Sequence, residues 1–348
     1  MSARDAFLAR AAERILIFDG AFGTQIQARK LSEADYAGEL GLEKSQGGNN
    51  DILALSRPDV IADITRAYLQ AGSDMVSTNT FSANRISQAD YGAEHLVGEI
   101  NRASAGIART AADAFAARDG QRRFVAGAIG PTNKTLSLSP SVEDPGFREI
   151  DFDHLSDVYR EQAAALVEGG VDFILVETIF DTLNAKAAIH AVRRVERELG
   201  REVPIMLSLT LTDLSGRNLS GHTVEAFWHA VRHAKPLAVG LNCSFGAEQL
   251  RPHVQLLDKV ADTLLLAYPN AGLPNELGEY DEMPATTAEA LRRWADGRHV
   301  NILGGCCGST PAHIAAVAKA VAGLPPRKPP QVPKVTRLAG LEAFSMAD

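Results

Sequence analysis

The sequence predicts an α/β chain folded as a (β/α)8 TIM barrel, and three observations carry that expectation. Eight short apolar runs alternate with amphipathic stretches along nearly all of the 348 residues. The runs are continuously apolar rather than alternating, as in parallel strands buried on both faces. Polar and glycine-rich motifs follow most of them, and a barrel gathers the C-terminal ends of all its strands on one face. An open doubly wound sheet, the alternative, would collect only those at its switch point.

The first strand is ILIFDG (15–20), running into the turn DGAFGT. The amphipathic stretch 57–72 closes on Gly72, a common helix stop, and leads to the second strand at 74–81. RFVAGAIGP (123–131) is the third strand, and residues 131–150 form a long loop of the kind that often serves function over a barrel mouth. A helix over 153–170 precedes DFILVETIF (172–180), and another over 182–200 precedes IMLSLTLT (205–212). AVGLNCSFG (238–246), TLLLAYPNAG (263–272) and VNILGGCCG (300–308) complete the set, with a last helix over 309–323. Residues 323–334 hold five of the sixteen prolines and read as a semi-rigid extended linker. The expected division is therefore a barrel over 1–322 and a Pro-rich linker and tail over 323–348. A linker followed by so little chain suggests a surface for a partner.

Composition narrows the function classes. Apolar residues at 45% and charged residues at 22% exclude a disordered or coiled-coil chain. Lys and Arg number 35 against 43 Asp and Glu, a net −8 without a basic tract, which argues against nucleic acid as a partner. No apolar run approaches the roughly 20 residues that span a bilayer. The charged N-terminus has no signal-peptide core, so a cytoplasmic chain away from membranes is expected.

Three cysteines, Cys243, Cys306 and Cys307, stand at the ends of the sixth and eighth strands. In a barrel they share one mouth. One reading is a Zn2+ site with three thiolate ligands and an open fourth position, the pattern of a catalytic zinc. Gly304, Gly305 and Gly308 would give the backbone freedom to turn adjacent thiols toward one metal. Buried inert cysteines and a redox-active vicinal pair are the alternatives. Such a zinc would activate water poorly, but it could lower the pKa of a substrate thiol, pointing to alkyl transfer onto sulfur.

Other polar groups join the same mouth. Gly20 and Ala21 could bring backbone N–H groups close to an anion, and Asp19 could accept from an ammonium, or the three form a tight turn. Glu177 ends the fourth strand inside an apolar run and needs a partner there, either a substrate ammonium or an internal cation. Asn79, Thr80 and Asn242 either contact a ligand or stitch loops together. His222, His229 and His233 lie near or on one helix without a carboxylate motif and read as packing or surface residues. P-loop, dinucleotide-binding, G-x-S-x-G and H-E-x-x-H motifs are absent.

Taken together, DGAFGT, STNTF, LVETIFDTLNAKAA, GLNCSFG and GGCCGSTPAHI resemble the homocysteine S-methyltransferase family, most closely its homocysteine-binding module in cobalamin-dependent methionine synthase. GNNDILALSRPDVI, GPTNKTLSLSPSVEDPGF, YPNAGLPN and RLAGLEAF extend the resemblance over nearly the whole chain. It implies a zinc held by Cys243, Cys306 and Cys307, and homocysteine bound through its sulfur. The amino-acid end would be held by Asp19, Gly20, Ala21 and Glu177, with Thr80 and Asn242 nearby. It further implies methylcobalamin as methyl donor, supplied by a cobalamin- and folate-binding partner subunit or module, and methionine as product. RLAGLEAF resembles the start of a folate module, so the chain reads as one subunit or one module of a split enzyme. Two alternatives stand beside this: a homocysteine methyltransferase using betaine, S-methylmethionine or S-adenosylmethionine, and a non-catalytic zinc scaffold. A betaine donor wants an aromatic cage with Trp or Tyr, whereas the strand-end motifs offer Phe22, Phe81, Phe180 and Phe245.

Overall fold

The computed structural model describes residues 2–346. Met1, at the head of the expected barrel, and residues 347–348, at the end of the expected tail, lie outside the described residues. All eight expected strands are present: β1 Leu16–Ile17, β2 Met75–Ser77, β3 Phe124–Ile129, β4 Phe173–Ile179, β5 Ile205–Leu209, β6 Ala238–Gly246, β7 Leu264–Asn270 and β8 Ile302–Leu303. They pair in parallel in the order β1-β8-β7-β6-β5-β4-β3-β2, with helices between them. Successive residues of each strand point to opposite faces, and both faces are apolar. Phe18, Met75, Phe124, Phe173, Leu175, Met206 and Leu266 fill the interior. Ile17, Val76, Val125, Ile174, Val176 and Val239 meet the surrounding helices.

β1 and β2 are joined largely by side chains. At the strand starts, Asp74 donates its N–H to Ile17 O at 2.7 Å and accepts the Ile17 N–H at 2.9 Å through its carboxylate. Arg14 holds that carboxylate with two hydrogen bonds. At the strand ends, Asp19 Oδ2 accepts the N–H and hydroxyl of Ser77 at 2.7 and 2.9 Å. The barrel therefore closes nearly completely, with carboxylates replacing ladder bonds along one seam.

The N-terminal stretch, which the sequence marked only as charged, is a helix over Ala3–Glu13 capped by Ser2. Its buried Phe7 meets Phe124 and Phe173 edge-on, each at 5.0 Å, and plugs the strand starts. The long loop 131–150 is organised by Arg148, whose guanidinium donates to the carbonyls of Leu136, Ser137, Pro145 and Phe147.

The Pro-rich segment folds back on the barrel instead of leading away from it. Arg327 is fully buried and donates to Asp258 Oδ1 and to the carbonyls of Asp258, Ala261 and Thr263. Two of these carbonyls end the helix Ala247–Val260, where a cation is favoured. Beyond the prolines, β9 Arg337–Ala339 and β10 Ala343–Ser345 form an antiparallel hairpin against the helix Val224–Val231. Leu341 O accepts the Thr223 N–H there at 3.0 Å. Among the described residues, no helix is long and apolar enough to cross a membrane.

Candidate active site

A cavity of about 1260 Å3 opens at the C-terminal ends of the strands. Its inner end is lined by Asp19, Gly20, Ala21, Glu177, Cys243, Tyr268, Cys306 and Cys307. The three thiols converge from two strand ends. In β6 the register shifts between Asn242 and Gly246, and Cys243 and Ser244 adopt left-handed φ of 62° and 60°. Non-glycine residues pay for such φ values in steric strain, which concentrates at functional sites, and the bulge re-aims the Cys243 side chain. β4 does the same one step after Glu177, where Thr178 has φ 54° and the register shifts between Val176 and Ile179.

After β8, Cys306 donates its N–H to Pro269 O at 2.8 Å, and Cys307 O accepts from Ala271 N–H at 2.9 Å. The neighbouring glycines divide their work differently from the sequence expectation. Only Gly308 needs a left-handed φ, 80°. Gly304 and Gly305 are required by close approach: a Cβ on Gly304 would lie 2.8 Å from Asp19 O, and one on Gly305 would overlap Ser309.

The three Sγ atoms lie within 4.8 Å of one another, with Cys243 and Cys307 at 3.9 Å. Tetrahedral ligation at a Zn–S length of about 2.3 Å sets sulfur atoms about 3.8 Å apart, so the trio is already near the spacing of one metal. Hydrogen bonds from Cys243, then Cys306 and Tyr280, draw the Cys307 thiol down to about 3. Cys306 is held well above the usual thiol value because it bonds to Cys243 and Cys307 and is buried. A cation would remove this competition by stabilising all three thiolates. The carboxamide oxygen of Asn270, buried at the end of β7, makes no hydrogen bond among the described residues. It is an unbonded neutral acceptor on the strand end whose next residue, Ala271, donates its N–H to Cys307 O.

Two carboxyls sit beside the thiols. Burial pushes Asp19 up to about 8, against the opposing pull of Ser77. Burial pushes Glu177 up to about 7, although Tyr268 donates its hydroxyl to Glu177 Oε2 at 3.0 Å. No internal Arg or Lys pairs with either among the described residues, so each is placed to ionise when a cationic ligand arrives.

The sequence model of the homocysteine S-methyltransferase family matches residues 16–321. The chain belongs to the homocysteine S-methyltransferase family. It is a methyltransferase built on the barrel just described. Among solved structures it is similar to the homocysteine methyltransferase MmuM from Escherichia coli. The oxidized form has a TM-score of 0.71 and 23% identity, covering 92% of this chain and 99% of that one. The metallated form has a TM-score of 0.70 and 24% identity, covering 91% and 99%.

In this homocysteine S-methyltransferase fold the residues singled out from sequence divide into two sets. Asp19, Glu177 and the three cysteines line the cavity. Gly20 lines it too, but its lack of a side chain is also demanded by Tyr68, which a Cβ would approach to 2.9 Å. Ala21 lends its carbonyl to the Tyr68 hydroxyl at 2.9 Å. Asn242 is almost fully buried, and its hydrogen-bonding capacity is already engaged. Its oxygen accepts from Thr178 N–H and the Ser208 hydroxyl, while its nitrogen donates to Thr178 Oγ1 and approaches Cys306 Sγ at 3.9 Å. It therefore clasps β4, β5, β6 and a cysteine together. Thr80 donates to Ala128 O, and Asn79 to Asn50 O, so both stitch loops.

His229 packs against its surroundings, pushed down to about 4 by burial and by Arg337 and Arg232, while His233 is exposed. The sequence motifs did not bring forward Thr178, Tyr268 or Tyr280. Tyr280 lies on the loop after β7 and reaches Cys307. Tyr268 and Tyr280, with Tyr91, place tyrosines in the cavity wall beside Phe22, Phe81 and Phe180.

Proposed function

We propose that the chain transfers a methyl group to the sulfur of homocysteine, forming methionine, with Zn2+ held by Cys243, Cys306 and Cys307. The convergence of the only three thiols to within 4.8 Å, in a cavity shared with two unpaired carboxyls, carries the reading. The spacing of the sulfur atoms, 3.9 Å between Cys243 and Cys307, fits a metal of this kind. When bound, the ion would supply Lewis acidity that keeps a substrate thiol ionised at neutral pH. Asp19 and Glu177 receive the substrate ammonium and lose their protons as it arrives. Gly20 and Ala21 border the same end, while Thr178, Asn242 and Ser208 hold β4 to β6 so that Cys243 and Cys306 keep their places. Thr80 supports the wall by its bond to Ala128.

Methylcobalamin, presented by a partner subunit or module that also binds folate, is the donor we assign. The sequence resemblance supports this, as does a cavity larger than the 300–1,000 Å3 that suffices for drug-sized ligands. Residues 1–322 then form the catalytic barrel, and 323–348 the partner-facing tail. The outward face of the hairpin supports that role, because Leu338, Leu341, Phe344 and Met346 are all exposed there. Tyr91 and Tyr280 in the cavity wall favour a second reading, a small cationic donor such as S-methylmethionine, S-adenosylmethionine or betaine.

The test is methionine formation from homocysteine with each donor, on protein of measured metal content. Transfer from methylcobalamin is expected, with about one zinc per chain. Cys306→Ala should lose most of the metal and all transfer while keeping its circular dichroism. Full zinc and activity in that variant would sink the metal assignment, and transfer from S-methylmethionine or betaine alone would select the second reading.

A further inference from the structure

The cavity lining extends well beyond the thiols, Asp19 and Glu177 that the reading above assigns to homocysteine. The further lining includes Asn49, Asn50, Asp51, Ser82 and Tyr91. Asp51 is 6% exposed, and its one side-chain hydrogen bond among the described residues is from the Ser82 N–H to Oδ1, at 3.1 Å. A carboxyl taken this far from water is costly without a partner, and no Arg or Lys side chain bonds it among the described residues.

Its setting is rigid rather than loose. Asn49 donates to Gln46 Oε1 at 3.0 Å and to Gln88 Oε1 at 2.9 Å, and Gln88 donates to Asn49 Oδ1 and Ser82 O. Asn79 donates to Asn50 O at 2.7 Å, and the Tyr36 hydroxyl to Asn50 Oδ1 at 3.2 Å. This network fixes the segment that leads into Asp51 and the Ser82 turn that bonds it, so the backbone bearing the carboxyl is held in place. A preorganised, under-bonded acceptor in a cavity wall is what a ligand N–H requires.

We propose that Asp51 is a binding residue for the methyl donor, accepting an N–H of that molecule in this cavity while homocysteine occupies the thiol end. The inference rests on the methyl-transfer reading above. Three of the donors considered carry the required chemistry: the corrin of methylcobalamin has primary amides at its edge, and S-methylmethionine and S-adenosylmethionine each have an ammonium group. Betaine has no N–H and gains nothing from Asp51.

Asp51→Asn keeps an oxygen for Ser82 and removes the charge. With the full chain, homocysteine affinity and zinc content are measured by calorimetry and metal analysis. Transfer kinetics are then followed separately with methylcobalamin, S-methylmethionine, S-adenosylmethionine and betaine. The KM for the working donor should rise at least about tenfold, as expected for a lost hydrogen bond to a charged group, while the Kd for homocysteine changes less than twofold. The donor whose KM moves identifies the source of the N–H. An unchanged donor KM in a variant that still transfers would overturn this inference alone. An equal loss of homocysteine and donor affinity would overturn it too, by making Asp51 a loop support. Wild-type protein that transfers from no donor would remove the methyl-transfer reading and this inference with it.

Discussion

Asp19 combines two duties in one side chain, and substitution can separate them. It joins β1 to β2 through Ser77, and it faces the ligand cavity. Asp19→Asn retains an acceptor for Ser77, so its fold should persist, whereas Asp19→Ala should cost about 1–3 kcal/mol by leaving buried donors unbonded. The titration has a defined sign. Folded Asp19 holds its proton up to about pH 8, while the unfolded chain releases it near 4. Between these limits the folded state binds more protons, so wild-type stability falls with rising pH relative to Asp19→Asn, by at most about 1.4 kcal/mol per unit. The gap in Tm should widen from pH 5 to 8 and level off above. A constant gap would mean that Asp19 is already ionised in the folded chain.

Glu177→Gln keeps an acceptor for Tyr268 and should weaken homocysteine binding at least about tenfold while retaining the metal. Titration calorimetry with metal analysis checks this, and loss of metal would place Glu177 among the supports of the thiol site. At this scale the cysteines and the two carboxyls were legible in the sequence, since sulfur and charge at apolar strand ends stand out. Asn242 read as a ligand contact as readily as a clasp, because its bonds to Thr178, Ser208 and Cys306 join positions 34 and 64 residues away.

At the level of elements, the eight strands were readable because burial on both faces leaves an unbroken apolar run. The bulges in β4 and β6 were not, since nothing in the composition of VETI or NCSF marks a left-handed φ at Thr178 or Cys243. The turn after β8 was half readable: its glycines are visible, but what each one avoids is not. Gly308 combines a φ of 80° with Tyr280 in the space a Cβ would fill, whereas Gly41 has a φ of 65° and open space around it. Gly308→Ala should therefore lower stability by more than about 2 kcal/mol and weaken metal binding, while Gly41→Ala should cost about 1 kcal/mol and leave the metal alone. Denaturant melts and metal competition on the two variants distinguish these outcomes. Equal effects would show that the Tyr280 contact is unimportant.

Across the whole molecule, the tail is the part the sequence described least well. Its prolines are visible, but the burial of Arg327 depends on Asp258, 69 residues earlier, and on carbonyls at the end of another helix. Arg327→Met should lower stability by about 2–4 kcal/mol, because a buried ion pair and several carbonyls lose their partner. Limited proteolysis should then cut the released tail first, before the barrel. Cutting at an unchanged rate would show that the hairpin alone holds the tail in place.

The carboxylate-closed seam between β1 and β2 also has a consequence in time. Many amide protons of the barrel are held by backbone carbonyls, but along this seam those of Ile17 and Ser77 are held by carboxyl side chains that can rotate or take up a proton. Opening at this line needs no strand to leave the sheet, so these two amides should exchange with deuterium faster than those of Ile174 or Leu237, which the carbonyls of Pro204 and Ile205 hold. A ligand ammonium that ionises Asp19 would strengthen its hold on Ser77 and slow that amide selectively, leaving Ile17 at the other end unchanged. Residue-resolved exchange with and without homocysteine would then show the barrel tightening on its substrate from one end of a single seam, and equal slowing of both amides would rule that out.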